Sequence, residues 1–314
     1  MGGPILVTGA AGFAGGHLLD LLAADGPPIF AWHRPGGQPP RAVGQVRWEA
    51  VDLLNRQAVR DAIRSARPSV VYHLAGAAHV GQSWGSATHT LEVNVLGTHH
   101  VLEALRAEAP GARVLVASSA LVYAPRAGAL DEDCPLAPES PYGISKLAQE
   151  LVGTGHAGAL GVYLARPFNH IGPRQSPSFS SAAFARQIAE IEAGVRPPEI
   201  SVGNMDAQRD LTDVRDVVRA YRSIVESGRP ERAYNVCSGR AVAVQSVLDL
   251  LVSHSRVAVR VVTDPSKFRP NDTPVVLGNP ARIRSELGWT TEIPLERTTS
   301  DLLEYWRGEV RRGG

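Results

Sequence analysis

The chain has only two cysteines, Cys134 and Cys237, and they stand far apart in sequence. Two such thiols make neither a disulfide framework nor a cysteine-based metal cluster, and their scarcity fits a reducing cytoplasm. An excess of charge of one sign is also missing. Lys and Arg number 32 against 31 Asp and Glu, a formal net charge of +1. That balance gives no bulk attraction to nucleic acid or to an anionic membrane. No apolar run reaches the roughly 18 residues that a membrane span needs. The apolar start MGGPILVTGAAGFAGG lacks a basic leader, and Leu6 stands where a myristoylation signal needs Ser or Thr. Aromatic residues make up only 6%, whereas 31 Gly and 23 Pro promise many tight turns. Internal repeats, long charge runs and disordered tracts are absent from the sequence.

A length of 314 residues fits one large domain or two smaller ones. Apolar, β-branched runs at residues 4–8, 28–32, 46–50, 69–74 and 113–117 predict strands. Their lack of alternation predicts parallel strands covered on both faces. Helical spacing fills residues 13–24, 55–66 and 91–109 between them, and a helix over 141–156 precedes a strand over 161–165. Strands alternating with helices predict an α/β fold, a Rossmann-type doubly wound parallel sheet. Beyond residue 167 the rhythm loosens. Helices are expected over 180–193, 213–226, 244–254 and 297–307, with a strand over 233–236 and Pro-rich joints between them. We expect a dinucleotide-binding domain over 1–168 with a return segment at about 211–236. A smaller interleaved α/β substrate lobe would take residues 169–210 and 237–314.

The motif TGAAGFAG at 8–15 follows the first strand and opens the first helix. Gly9 permits a tight turn. Gly12 has no side chain to hold a pyrophosphate off the backbone, and Gly15 lets helix and sheet pack closely. The free N–H groups of the helix start then face the phosphates. The acidic residue that usually ends the second strand and binds an adenosine ribose is missing, because the segment reads Trp32-His33-Arg34-Pro35. Arg34 either pairs with a 2′-phosphate, favouring NADP(H) over a still possible NAD(H), or is a solvated loop residue. Asp52, at the end of the next strand, is placed to accept from an adenine amino group.

Tyr142 and Lys146 in YGISK are neighbours on one helix face. A phenol titrates near pH 10, and a nearby ammonium is expected to lower that value. Ser118-Ser119 follows an apolar strand, so a hydroxyl reaches the sheet edge where such sites lie. His99-His100 lacks a second ligand cluster, so no metal site is expected there. Cys237 reads as packed rather than reactive.

At this point the whole chain resembles the extended short-chain dehydrogenases/reductases that act on nucleotide sugars. TGAAGFAG, HLAG at 73–76, SSALVY at 118–123 and YGISK at 142–146 match in order. The resemblance makes Ser119 the catalytic hydroxyl, Tyr142 the general acid/base and Lys146 its partner. It makes Asn94, in LEVNVLGT, a support of the site, and Leu74, Ala75 and Ala77 the loop that passes the cofactor. It adds Phe13, Ala14, Leu53 and Pro167 to the cofactor contacts.

The branch follows from two positions. The family's 4,6-dehydratases carry an acid two places after the Ser/Thr, and its fucose-type epimerase-reductases carry a Cys beside it. Ala120 and Leu121 stand there in this chain. Reduction of a ketone then remains, or 4-epimerisation with a retained NAD. A non-catalytic nucleotide-binding regulator would be expected to have a damaged triad. NHIGP at 169–173 and YNVCSG at 234–239 resemble the branch that reduces GDP-4-keto-6-deoxy-D-mannose. That resemblance implies a GDP-sugar substrate and assigns Asn169, Arg209 and Arg269, with Arg186 behind them, to its diphosphate. His79 and Ser83 would border the sugar, although His79 reads equally well as a structural histidine. The family commonly dimerises through two helices matching 91–109 and the Tyr142 helix, and burial within one chain explains their apolar faces equally well.

Overall fold

The structure is a computed structural model that describes residues 3–23, 26–37, 46–264, 266 and 273–313. The apolar runs become strands: β1 (Ile5–Thr8), β2 (Ile29–His33), β3 (Val46–Ala50), β4 (Val70–His73), β5 (Arg113–Ala117) and β6 (Gly161–Pro167). A returning strand, Ala233–Val236, pairs with β6. Together they make a seven-stranded parallel sheet in the order Ala233–Val236, β6, β5, β4, β1, β2, β3. β1, β4 and β5 bury nearly every residue because helices cover both faces. One face packs Leu18 and Leu22 of the Phe13–Ala23 helix with Val217 and Tyr221. The other packs Val59, Ile63, Leu102 and Leu105.

The chain leaves β1 toward β2 and β3, then returns to β4 on the opposite side of β1. The loops after β1 and β4 therefore part, and a crevice opens at the strands' carboxyl ends, where open α/β sheets bind ligands.

Local chemistry sets the helix ends. Ser140 accepts from the Gly143 N–H at 3.0 Å, and Pro141 fills the first turn of the Pro141–Thr154 helix. Asn55 caps the Arg56–Ala66 helix by accepting from the Ala58 N–H at 3.0 Å. The helix expected over 91–109 is not one regular helix. An α turn over Ala87–Leu91 passes into a π-helical turn, Glu92–Leu96, and then an α-helix over Gly97–Glu108. The wide turn faces Asn94 inward, where its amide makes three hydrogen bonds. The final helix runs from Leu295 to Gly313, longer than its apolar spacing suggested.

Several short strands were not expected. Asn169–Ile171, Ala241–Ala243 and Val275–Val276 gather around Gln208–Asp213, and Arg260–Thr263 pairs with Glu199–Val202. A separate apolar cluster joins Ile188, Ile200, Leu248, Leu251 and Leu302 beneath them. No described helix is long and apolar enough to cross a membrane.

One buried ion pair ties β6 to the Tyr142 helix. Arg166 Nε and Nη2 donate to Glu150 at 2.9 and 2.7 Å, and both side chains are almost wholly buried. Arg166 Nη1 also donates to the Tyr123 hydroxyl, which donates to Asn235 Oδ1. Arg166→Met should leave the Glu150 carboxylate buried and unpaired, destabilising the fold by about 3–5 kcal/mol, read as a lower urea midpoint. Adding Glu150→Leu should recover most of that loss. An unchanged midpoint in the single variant would contradict this account.

Candidate active site

The crevice widens into a cleft of about 2090 Å³, lined from both sides of the molecule. Single-ligand pockets usually span roughly 300–1,000 Å³, so this one has room for a dinucleotide and a second large ligand.

The phosphate end is shaped by missing side chains. Gly9 has φ +68, and a Cβ there would lie 2.7 Å from the Ala75 nitrogen. A Cβ on Gly15 would lie 2.2 Å from the Gly9 carbonyl oxygen. A Cβ on Gly12 would meet that same oxygen at 3.0 Å and otherwise point into open space. Phe13 and Ala14 open the helix on the cleft wall. This cradle, with helix N–H groups at its base, fits a pyrophosphate.

At the far edge, Arg34 is exposed on the cleft wall, and its guanidinium makes no hydrogen bond or ion pair among the described residues. Asp52 lines the same end and accepts from the Leu54 N–H at 3.0 Å. Leu53 lines it too, and its carbonyl meets His100 Nδ1 at 2.8 Å. Leu74, Ala75 and Ala77 form the wall after β4. Asn94 fixes that wall, since its Oδ1 accepts from the Ala77 N–H at 2.7 Å and its Nδ2 donates to Ser145 Oγ at 2.8 Å.

Ser119 lies two residues beyond β5 and caps the short turn Ala120–Val122, Tyr142 and Lys146 rise from the Pro141–Thr154 helix, and all three line the cleft. Burial pushes the Tyr142 phenol up to about 12, opposed by a hydrogen bond with Ser119. Burial pulls the Lys146 ammonium down to about 8. Lys146 Nζ donates to the Ala117 carbonyl at 2.6 Å and to Gln149 Oε1 at 2.8 Å, and it lies 5.9 Å from the Tyr142 ring centre. This corrects the expectation of a phenol made more acidic by lysine. Desolvation outweighs a lysine that gives two of its three N–H donors to Ala117 and Gln149 and lies 5.9 Å from the ring centre, so Tyr142 is a phenol, not a phenolate, at neutral pH.

The substrate side is mixed. Pro167 ends β6 on the cleft wall, and Asn169 is exposed beside it. Arg209 also lines the cleft, with Nη1 donating to the Gln208 and Thr273 carbonyls at 2.7 and 2.8 Å. Ser83 is buried away from the lining and donates to the Val80 carbonyl at 2.7 Å, so it offers no hydroxyl to a sugar as it stands. His79 stacks on Phe179 at 5.1 Å, and Phe179, not His79, faces the cleft. Arg186 points outward, bonding Glu190 at 2.6 Å and lying over the Trp306 ring at 5.8 Å. Its neighbour Gln187 takes the cleft position. Arg269 lies outside the described residues.

A clamp that the sequence did not suggest joins the two ends of the cleft. Phe13 stacks on His170 at 5.6 Å, His17 Nε2 donates to the Pro173 carbonyl at 2.8 Å, and Arg174 bonds both His17 Nδ1 and Asp20. Burial pulls His17 down to about 4, so the neutral ring can donate from one nitrogen and accept at the other. The strand Asn169–Ile171 and the turn after it are thus fastened to the Phe13–Ala23 helix.

The family model described as GDP-mannose 4,6 dehydratase matches residues 6–302. The chain belongs to this family of extended short-chain dehydrogenases/reductases. Within it, the chain is 35% identical to the GDP-6-deoxy-D-mannose reductase of Pseudomonas aeruginosa, over 98% of each. It is 24% identical to a GDP-mannose 4,6-dehydratase of Yersinia enterocolitica, over 95% of the chain and 92% of the relative. The solved structure of RMD from Pseudomonas aeruginosa complexed with NADPH superposes with a TM-score of 0.87 at 33% identity, covering 98% of this chain and 99% of that one. The Thermotoga maritima UDP-glucose 4-epimerase superposes at 0.88 with 25% identity, covering 98% and 99%. One family fold thus serves several reactions, and the side chains in the cleft must distinguish them.

Gly9→Ala places a methyl against the Ala75 backbone at positive φ, so NADPH binding should weaken at least about tenfold, measured by calorimetry. Unchanged affinity would contradict the cradle.

Proposed function

We propose that this protein reduces the carbon-4 ketone of a GDP-4-keto-6-deoxyhexose with NADPH, giving GDP-D-rhamnose or its 6-deoxytalose epimer. NADPH supplies the hydride when bound. Tyr142, protonated at neutral pH, donates the proton that the forming alkoxide needs. Ser119 donates to the ketone oxygen and stabilises the charge that develops there. Lys146 holds the nicotinamide ribose through the N–H left over from Ala117 and Gln149. Gly9, Gly12 and Gly15 cradle the pyrophosphate, with Phe13 and Ala14 at the helix start. Arg34 pairs with the 2′-phosphate, Asp52 and Leu53 border the adenine, and Leu74, Ala75, Ala77, Asn94 and Pro167 wall the nicotinamide half. Asn169 and Arg209 take the substrate diphosphate.

The observation that carries this reading is the pairing of a protonated Tyr142 with Ala120 and Leu121 beside Ser119. A proton can be delivered to the ketone oxygen, but neither neighbour can remove one from carbon to eliminate water. The reductase relative at 35% identity supports the same branch.

We divide the chain into a dinucleotide-binding domain, 1–168 with its return at about 211–236, and a sugar-nucleotide lobe, 169–210 and 237–314. We place the enzyme in the cytoplasm, with both cysteines free and buried. We also propose a homodimer. Leu96, Ile144 and Leu151 are 47%, 48% and 65% exposed on adjacent helices, an apolar face suited to a second copy.

With GDP-4-keto-6-deoxy-D-mannose, the protein should oxidise NADPH stoichiometrically. Tyr142→Phe should lower kcat by about 10²–10⁴-fold with little change in substrate binding. Near-normal turnover in that variant would sink the mechanism. Conversion without added reductant, by protein carrying bound NAD, would support a 4-epimerase instead. Arg34→Ala should raise the KM for NADPH about tenfold and leave that for NADH unchanged. Equal effects on both cofactors would remove Arg34 from the phosphate.

A further inference from the structure

Beneath Lys146 lies a chain of hydrogen bonds whose directions can be worked out atom by atom. The Lys146 ammonium only donates, so the Gln149 oxygen 2.8 Å away must accept. The Gln149 amide nitrogen therefore faces Thr98 Oγ1 at 2.8 Å and donates to it. The Thr98 hydroxyl lies 2.5 Å from the Asn94 carbonyl, which only accepts, so its proton goes there. Thr98 Oγ1 must then also accept from His73 Nε2 at 2.9 Å. That fixes the proton of His73 on Nε2 and leaves Nδ1 bare to accept from the Thr8 hydroxyl at 2.8 Å. Thr8 Oγ1 in turn accepts from the Ala75 N–H at 3.2 Å. Thr8, His73, Thr98, Gln149 and Lys146 are all buried, so water cannot substitute freely for any link.

We propose that Gln149 is a positioning residue, which through Thr98, His73 and Thr8 anchors the Lys146 ammonium to the phosphate turn. The chain runs from the turn that cradles the cofactor's phosphates to the cation that meets its nicotinamide ribose, so both ends of the cofactor are registered by one rigid network. Among the described residues, the ammonium's side-chain hydrogen bond goes to Gln149. The inference rests on the ketoreductase reading for the role of Lys146, but the network itself needs no substrate.

The electrostatic setting lets the role be tested. His73, on β4, is pulled to about 3 by burial and by Lys146, so it stays neutral. Tyr142 and Glu150 share the helix of Lys146, and the Glu150 carboxylate is closed by Arg166 from β6. Tyr221, on the Val214–Ser227 helix across the cleft, is a buried phenol held well above its ordinary range. Glu150 already favours the Lys146 ammonium against desolvation's pull, so a carboxylate placed at 149 would add to that effect.

NADPH affinity should fall as pH rises through the Lys146 value of about 8, because the ammonium is lost. Gln149→Glu adds a carboxylate, which favours the ammonium and should move this limb up by about one pH unit. Gln149→Met removes the acceptor and should move it down by a similar amount, weakening NADPH about tenfold at neutral pH. The KM of the sugar nucleotide at saturating NADPH should stay within about twofold. In the cofactor-free wild-type protein, nitrogen NMR of the His73 ring should show the Nε2–H tautomer with no titration between about pH 5 and pH 9. Unmoved limbs in both folded variants would overturn the proposal, and so would an Nδ1–H tautomer, which remains measurable if neither variant folds. If the wild type reduces no 4-keto sugar, the ketoreductase reading fails, while NADPH binding and the tautomer still decide the role of Gln149.

Discussion

Gly9 sits against Ala75 so closely that a single methyl on it would lie 2.7 Å from the Ala75 nitrogen. That contact holds the loop after β1 and the loop after β4 together at the point where the strand order reverses. Thr8, one residue earlier, accepts from the Ala75 N–H and reaches His73 on the neighbouring strand. From His73 the same contacts pass to Thr98, Gln149 and Lys146. The glycine turn and Lys146 are thus parts of one structure, and a side chain on Gly9 would disturb both.

Burial, more than any single charge, sets the protonation states of the site. It raises Tyr142 to about 12 and lowers Lys146 to about 8, so near pH 7 a neutral phenol stands beside a cation. It keeps His17 and His73 neutral, which lets each ring donate from one nitrogen and accept at the other. A protonated phenol near a cation and a hydroxyl suits delivery of a proton to an oxygen that is gaining negative charge. That is the demand of ketone reduction.

The central sheet was legible because its strands are buried on both faces and so read as unbroken apolar runs, as at Ile5–Thr8 and Val70–His73. The YGISK spacing was legible because a helix puts those side chains on one face. The acidity of Tyr142 was not, since desolvation depends on segments far away in sequence. Arg186 was misplaced by one position. Adjacent helical residues differ by about 100°, so Gln187 faces the cleft and Arg186 faces Trp306. Ser83 was misread because its hydroxyl is spent on a local carbonyl. The short strands around Gln208–Asp213 carry too few residues to show a period, and their partners are distant. The clamp of His17 and Arg174 pairs residues that no local pattern links.

On the reading proposed above, one cleft brings a reduced nicotinamide to the carbonyl carbon of a 4-keto nucleotide sugar, and Tyr142 completes a net reduction. The most direct measurement supplies NADPH deuterated at the transferred position of its nicotinamide, with GDP-4-keto-6-deoxy-D-mannose, and reads the product by NMR. One deuterium should appear at carbon 4 of a GDP-6-deoxyhexose for each NADPH consumed. A product without label at carbon 4, or turnover that consumes no NADPH, would contradict that reading.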